Sequence, residues 1–148
     1  MTIMHVEEFR IAQFGARLGT RWEGERARAY LESLLRSLPD AGQVRLCLDG
    51  MEVLSTSFAD ELVGKAYQRV VDGEFGDRTM VLETPSLELI DGIDVKLAQR
   101  RLAMLCRQGG EWRLVGFHTP ALSETLDRIL KKGRTTTREL ADELGLQM

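Results

Sequence analysis

The sequence predicts an α/β fold: a mixed sheet of about four to five strands with alternating helices on it, followed by a two-helix C-terminal appendage. Three observations carry this. Short, mostly apolar runs that suit covered strands occur at 43–48 (QVRLCL), 78–83 (RTMVLE) and 111–117 (EWRLVGF). Between them lie apolar stripes at helical spacing. The two kinds of segment alternate along the chain, the signature of layered α/β architecture with crossover connections. With 148 residues the chain divides naturally into an α/β domain over 1–118 and a helical appendage over 119–148.

Each element has a local reason. Residues 4–14 mix apolar and polar positions in partial alternation, which predicts a strand or short hairpin, and Gly15 and Gly19 punctuate the stretch behind it. Thr20 and Glu23 match a capping box, and Ala27, Tyr30, Leu31, Leu34, Leu35 and Leu38 recur after it, predicting a helix over 21–38. After the strand at 43–48, Asp49-Gly50 turns the chain. Ala59, Leu62, Val63, Ala66, Tyr67 and Val70 then form a stripe that predicts a helix over 57–72 with Ser57 as its N-cap and Asp60 completing a capping-box-like pair. The strand at 78–83 leads through Pro85-Ser86 into a helical stretch interrupted near Asp91-Gly92. Its second part, capped by Asp94, runs through Leu97, Ala98, Leu102 and Leu105 to about Arg107, where Gly109-Gly110 stop it. The strand at 111–117 comes next. Pro120 opens a helix carrying Leu122, Leu126, Ile129 and Leu130, and Thr136 with Glu139 forms a second capping box.

Composition excludes several function classes. There are 20 Lys and Arg against 23 Asp and Glu, a net charge of −3, which argues against a nucleic-acid binder working by bulk positive charge. The deficit is localised: residues 41–85 carry eight acids and four bases, whereas the rest of the chain is nearly balanced. No apolar run approaches the roughly 18 residues of a membrane span. Two cysteines, Cys47 and Cys106, cannot form a disulfide framework, and reduced thiols in a cytoplasmic setting are expected. No Gly-x-Gly-x-x-Gly follows a strand, and Gly64-Lys65 lies inside a helical stripe without the upstream glycine of a phosphate loop. His5 and His118 stand alone, so no metal or cofactor site is expected. Ser57 is not in a nucleophile elbow, and an enzyme is not expected. Trp22 and Trp112 are expected in the core or at its rim.

One segment stands out: Leu46-Cys47-Leu48-Asp49-Gly50-Met51-Glu52-Val53-Leu54-Ser55-Thr56-Ser57-Phe58-Ala59-Asp60-Glu61-Leu62. A buried strand feeds a turn, a hydroxyl cluster and a helix start. It resembles the strand–loop–helix of STAS domains, the anti-sigma factor antagonists, and more closely the STAS-like family of unknown function, whose members carry a pattern like Ser-Phe-Ala-Asp-Glu-Leu at this helix start. The resemblance covers roughly residues 9–85. It implies a serine phosphorylated by a partner kinase; aligned on Gly50 to Leu54, the family Asp falls on Ser55, the first family Ser on Thr56, the phosphoacceptor on Ser57 and the family Gly on Phe58. Ser55 and Phe58 depart from the family Asp and Gly, and Thr56 keeps only the hydroxyl of the first family Ser. Physically, a hydroxyl at a helix N-terminus meets unpaired amides and a positive dipole, and phosphorylation there adds about −1.5 to −2 charge. Asp60 and Glu61, first-turn acids, would repel that phosphate.

Residues 136–146, TTRELADELGL, resemble the positioning helix and turn of winged-helix regulators, but only Gln147 and Met148 come after them, leaving no element to enter a major groove. The leading expectation is therefore a non-enzymatic regulatory module that docks a partner protein through loop 49–57 and helix 57–72. The resemblance implies an ATP-binding kinase or anti-sigma-type partner. Ser57, Thr56 and Ser55 are the candidate phosphoacceptors, and Asp49, Glu52, Phe58, Asp60, Glu61 and Lys65 the candidate contacts. A homodimer that buries the tail helices is a further possibility. The alternative is a transcription regulator whose STAS-like part senses or dimerises while the tail belongs to a DNA-binding helix-turn-helix; DNA binding by this chain alone is not expected.

Overall fold

The computed structural model describes residues 5–131. Its main sheet has five strands: β1 (Val6–Arg10), β3 (Gln43–Cys47), β5 (Thr79–Glu83), β6 (Ala103–Gln108) and β7 (Glu111–Gly116), in that spatial order. The first four are parallel and β7 returns antiparallel to β6. A parallel two-residue pairing joins β2 (Arg17–Leu18) to β4 (Val53–Leu54) beside it. The expected α/β class with a mixed sheet of about five strands is thus what forms.

The connections are helical. α1 (Arg21–Ser37) links β1 to β3, and its capping box is as the sequence predicts, with Thr20 accepting from the Glu23 amide and Glu23 accepting from the Thr20 amide. α2 (Thr56–Ala59), a π-helical turn (Asp60–Gly64) and α3 (Lys65–Val71) run on as one helix between β3 and β5. A 3-10 turn (Leu87–Ile90) and α4 (Asp91–Gln99) link β5 to β6, and α5 (Pro120–Lys131) ends the described chain. Successive parallel strands step across the sheet in one direction, so crossovers of one hand place α1 to α4 on one face.

The register divides the core in two. Phe9, Leu46, Leu82 and Cys106 form one row across four strands, all facing the helix layer. Against it pack Leu31 and Leu35 from α1, Phe58 and Leu62 from the central helix, and Ile93 and Leu97 from α4. The intervening positions Val81, Leu105 and Leu114 point the other way, to Leu126 and Ile129 of α5.

The local expectations fare differently. Of the strand or short hairpin expected over 4–14, the strand forms as β1 and is followed by a 3-10 turn (Ile11–Phe14). Residues 103–107, read as the end of a helix, belong to β6. Leu102 and Leu105 have helical spacing by accident: the run Ala103 to Cys106 is apolar on both sides because β6 is covered on both faces. Gly109-Gly110 is accordingly the β6–β7 turn rather than a helix stop, and Asp94 accepts from the Gly116 amide at 2.7 Å instead of capping a helix. Gly116 has φ +100°, and a Cβ there would lie 2.2 Å from the Leu102 carbonyl oxygen, so only glycine fits where β7 leaves the sheet. Trp22 is 68% exposed beneath the Arg26 guanidinium, outside the core, while Trp112 packs on the α5 cluster.

Candidate docking site

The site is built where the parallel strands β3 and β5 end, the edge at which open α/β sheets carry their ligands. Leu48 still donates to Glu83 O as β3 finishes, and Asp49-Gly50 then reverses the chain, with the Met51 amide bonded to Leu48 O. Glu52 and Val53 amides both donate to Ala16 O, and β4 pairs with β2, so the loop is tied to the segment before α1 rather than free.

The helix start differs from expectation. Ser55, not Ser57, is the N-cap. Its hydroxyl accepts from the Phe58 amide at 3.1 Å and donates to Gly19 O at 2.8 Å, so both bonding directions are used. The cap lies two residues earlier because β4 ends at Leu54, and the first non-helical hydroxyl takes the role. Thr56 is exposed and Ser57 half-buried, and neither side chain makes a hydrogen bond among the described residues.

The remaining candidates separate into three groups. Asp49 and Glu52 are exposed, Glu52 meeting Arg17 at 3.3 Å on the surface. Phe58 is fully buried in the core and cannot touch a partner. Asp60, Glu61 and Lys65 belong to an ion-pair network. Asp60 lies between Arg21 at 3.1 Å and Arg100 at 3.0 Å. Glu61, 7% exposed, meets Lys65 at 2.7 Å, Arg21 at 3.3 Å and Arg28 at 3.7 Å. Glu32 of α1, also buried, extends the network through Arg69 at 2.8 Å, Arg28 at 3.5 Å and Arg36 at 4.0 Å. Burial works to raise the carboxyls of Asp60 and Glu61, but Arg100 and Arg21 outweigh it at Asp60, and Lys65, Arg21 and Arg28 outweigh it at Glu61. Both acids are held below their ordinary values.

This changes two readings. The acidity of residues 41–85 is not all surface: Asp60 and Glu61 are neutralised largely by bases from outside that stretch. The repulsion expected between these acids and a phosphate on Ser57 is likewise offset by Arg21, Arg100 and Lys65. The i,i+4 pairs Arg28–Glu32 and Glu61–Lys65 were available in the sequence as a signal. Arg21, Arg69 and Arg100 reach their partners across helices and left no such signal.

A groove of about 490 Å³ runs along the loop, its lining ending at Leu54, one residue before the hydroxyl cluster. One wall is Met51 to Leu54; the other is Pro85, Ser86, Glu88 and Leu89. Val53 is 42% exposed, and Glu52 and Glu88 are exposed acids, so the groove joins an apolar strip to negative charge. The start of α4 closes over the helix start: a Cβ on Gly92 would lie 3.3 Å from Thr56 Cα. Among the described residues no group of three or more His, Cys, Asp or Glu is placed to hold a metal, and no helix is long and apolar enough to cross a membrane. The helix-turn-helix-like residues 136–146 lie outside the described residues. Comparison with protein-family models, curated proteins and solved structures finds no match to this chain.

Proposed function

We propose that the chain is a non-enzymatic regulatory module that docks a partner protein through loop 49–57 and the first turn of the helix beyond it. The observation that carries this reading is the coincidence, at the carboxyl ends of β3 and β5, of an apolar-acidic groove with two unbonded hydroxyls, Thr56 and Ser57. The groove suits a basic, partly apolar segment. A phosphate on Ser57 or Thr56 would add about −1.5 to −2 charge at its edge and change that affinity. The STAS-like pattern at 57–62 supports a partner of the ATP-binding kinase or anti-sigma type, with Ser57 as the phosphoacceptor.

The test is co-purification of the full chain with its partner from the native host, followed by affinity measurements on variants. Ser57→Asp and Thr56→Asp are expected to change partner affinity with the fold intact by circular dichroism, and Glu52→Lys with Glu88→Lys to weaken it. If all bind like wild type, the loop is only a helix cap and a strand connection.

A further inference from the structure

On the outer side of the helix layer lies a second cavity, of about 380 Å³, that the docking proposal does not use. It is lined by four cations from three helical segments: Arg28 of α1, Lys65 and Arg69 of α3, and Arg100 just after α4. This concentration is unexpected in a chain of net charge −3. The buried carboxylates of Glu32 and Glu61 hold three of these cations in place, and Asp60 holds the fourth. Arg21 and Arg36 join the same network, so six bases surround three acids. Each guanidinium has five donors, more than these carboxylates take, and Arg28 Nε is buried with no hydrogen-bond partner among the described residues. Pre-positioned, partly desolvated cations with spare donors are what a multivalent oxyanion requires.

We propose that this cavity binds the phosphoryl group of a small phosphomonoester. A phosphoryl group offers three oxygens and more than one negative charge to cations converging from different sides, which a single carboxylate does not. The volume exceeds that of phosphate alone and falls in the range of small-molecule sites, roughly 300–1,000 Å³. The rest of the rim defines the attached group. Gln68 lines the cavity and donates to Asp72 at 3.2 Å; Asp72 and Glu74, both exposed, complete the edge. Those two carboxylates would repel a second anionic group but accept from hydroxyls, so the ligand class is a hydroxylated phosphomonoester such as a sugar phosphate.

Isothermal titration of the full chain at low chloride with glucose 6-phosphate, inorganic phosphate, sulfate and glucose tests this. The phosphomonoester is expected to bind best, inorganic phosphate more weakly, and glucose not at all. Gln68→Glu adds a negative charge to the cavity without replacing any ion-paired residue. It is expected to weaken the phosphomonoester by about tenfold or more. Gln68→Ala should bind within about twofold of wild type, and Glu74→Gln should bind inorganic phosphate more tightly. No binding at millimolar ligand, equal affinity for sulfate and the phosphomonoester, or affinity unmoved by both Gln68→Glu and Glu74→Gln would each overturn the proposal.

Discussion

Replacing Ser55 and Ser57 separately by alanine distinguishes a structural hydroxyl from a free one at the centre of the docking loop. Ser55 Oγ satisfies the Phe58 amide, one of the donors left unpaired at a helix start, and also donates to Gly19 O. Loss of a serine N-cap costs about 1 kcal/mol, and the second bond, to an exposed carbonyl that water can reach, adds a few tenths more. The total of about 1.5 kcal/mol corresponds to a fall of roughly 3–6 °C in Tm for a chain of this size. Ser57 has no side-chain hydrogen bond among the described residues, and alanine has the better helix propensity, so Ser57→Ala is expected within about 0.5 kcal/mol of wild type. Denaturant and thermal unfolding, followed by far-ultraviolet circular dichroism, read both values. Equal losses, or a larger loss for Ser57→Ala, would refute the assignment of the cap to Ser55.

Three further outcomes rest on the same geometry. Gly24→Ala in α1 should destabilise despite alanine's propensity advantage of about 1 kcal/mol, because its Cβ would lie 2.6 Å from Glu61 Cβ and 3.1 Å from Phe58 O, and overpacking of this kind costs about 1–3 kcal/mol; a variant more stable than wild type in urea would contradict the close approach. Asp60 and Glu61 are depressed in the folded chain relative to unfolded carboxyls near about 4, so their contribution is fully present above about pH 5 and is lost as pH falls through the folded values; Tm should drop on acidification, less steeply in Asp60→Asn, and a Tm unchanged from about pH 7 to about pH 3 would refute this. Burial pushes the Cys47 and Cys106 thiols up to about 11, helped at Cys47 by Glu8, Glu83 and Asp49, so a thiol–disulfide reagent at about pH 8 should label them only as fast as the chain opens; rapid native-state labelling would show an accessible thiolate.

The sheet and helix layer were legible because their signals are local. Thr20 and Glu23 placed the start of α1, and the stripe from Ala59 to Val70 placed the central helix to within a residue of its observed ends. β6 was not legible. Leu102 and Leu105 satisfy a helix period, and nothing nearby reports that Leu82 and Glu83 on one side and β7 on the other would pair with this run. The hydroxyl loop was found, but the roles within it were not: choosing Ser55 over Ser57 as cap depends on Gly19 O and on the β2–β4 pairing, contacts across 36 residues. The cationic cavity was invisible for the same reason, since Arg28, Arg69 and Arg100 are far apart in sequence and each, alone, resembles an ordinary surface base.

The packing of the central helix narrows what a partner can reach. The π turn sets four consecutive buried residues, Glu61 to Gly64, between α1 and α4: Gly24 lies against Glu61 on one side, and Arg100 lies against Gly64 on the other. The helix is therefore covered by the sheet and on both flanks, and a partner cannot lie along either side of it. Two places remain open. One is its first turn, where Thr56 and Ser57 follow the loop that lines the acidic groove; the other is the outer line of Lys65, Gln68, Arg69 and Asp72, where the charge is predominantly positive at the cavity. These surfaces differ in sign, so one partner segment of uniform charge cannot favour both. Because Asp60 ties the first turn to Arg100 on the cavity wall, a phosphate introduced at Ser57 would compete with Asp60 for Arg21 and Arg100. Loss of phosphomonoester affinity in Ser57→Asp, with Gln68 intact, would be the measurable sign that the two places are coupled.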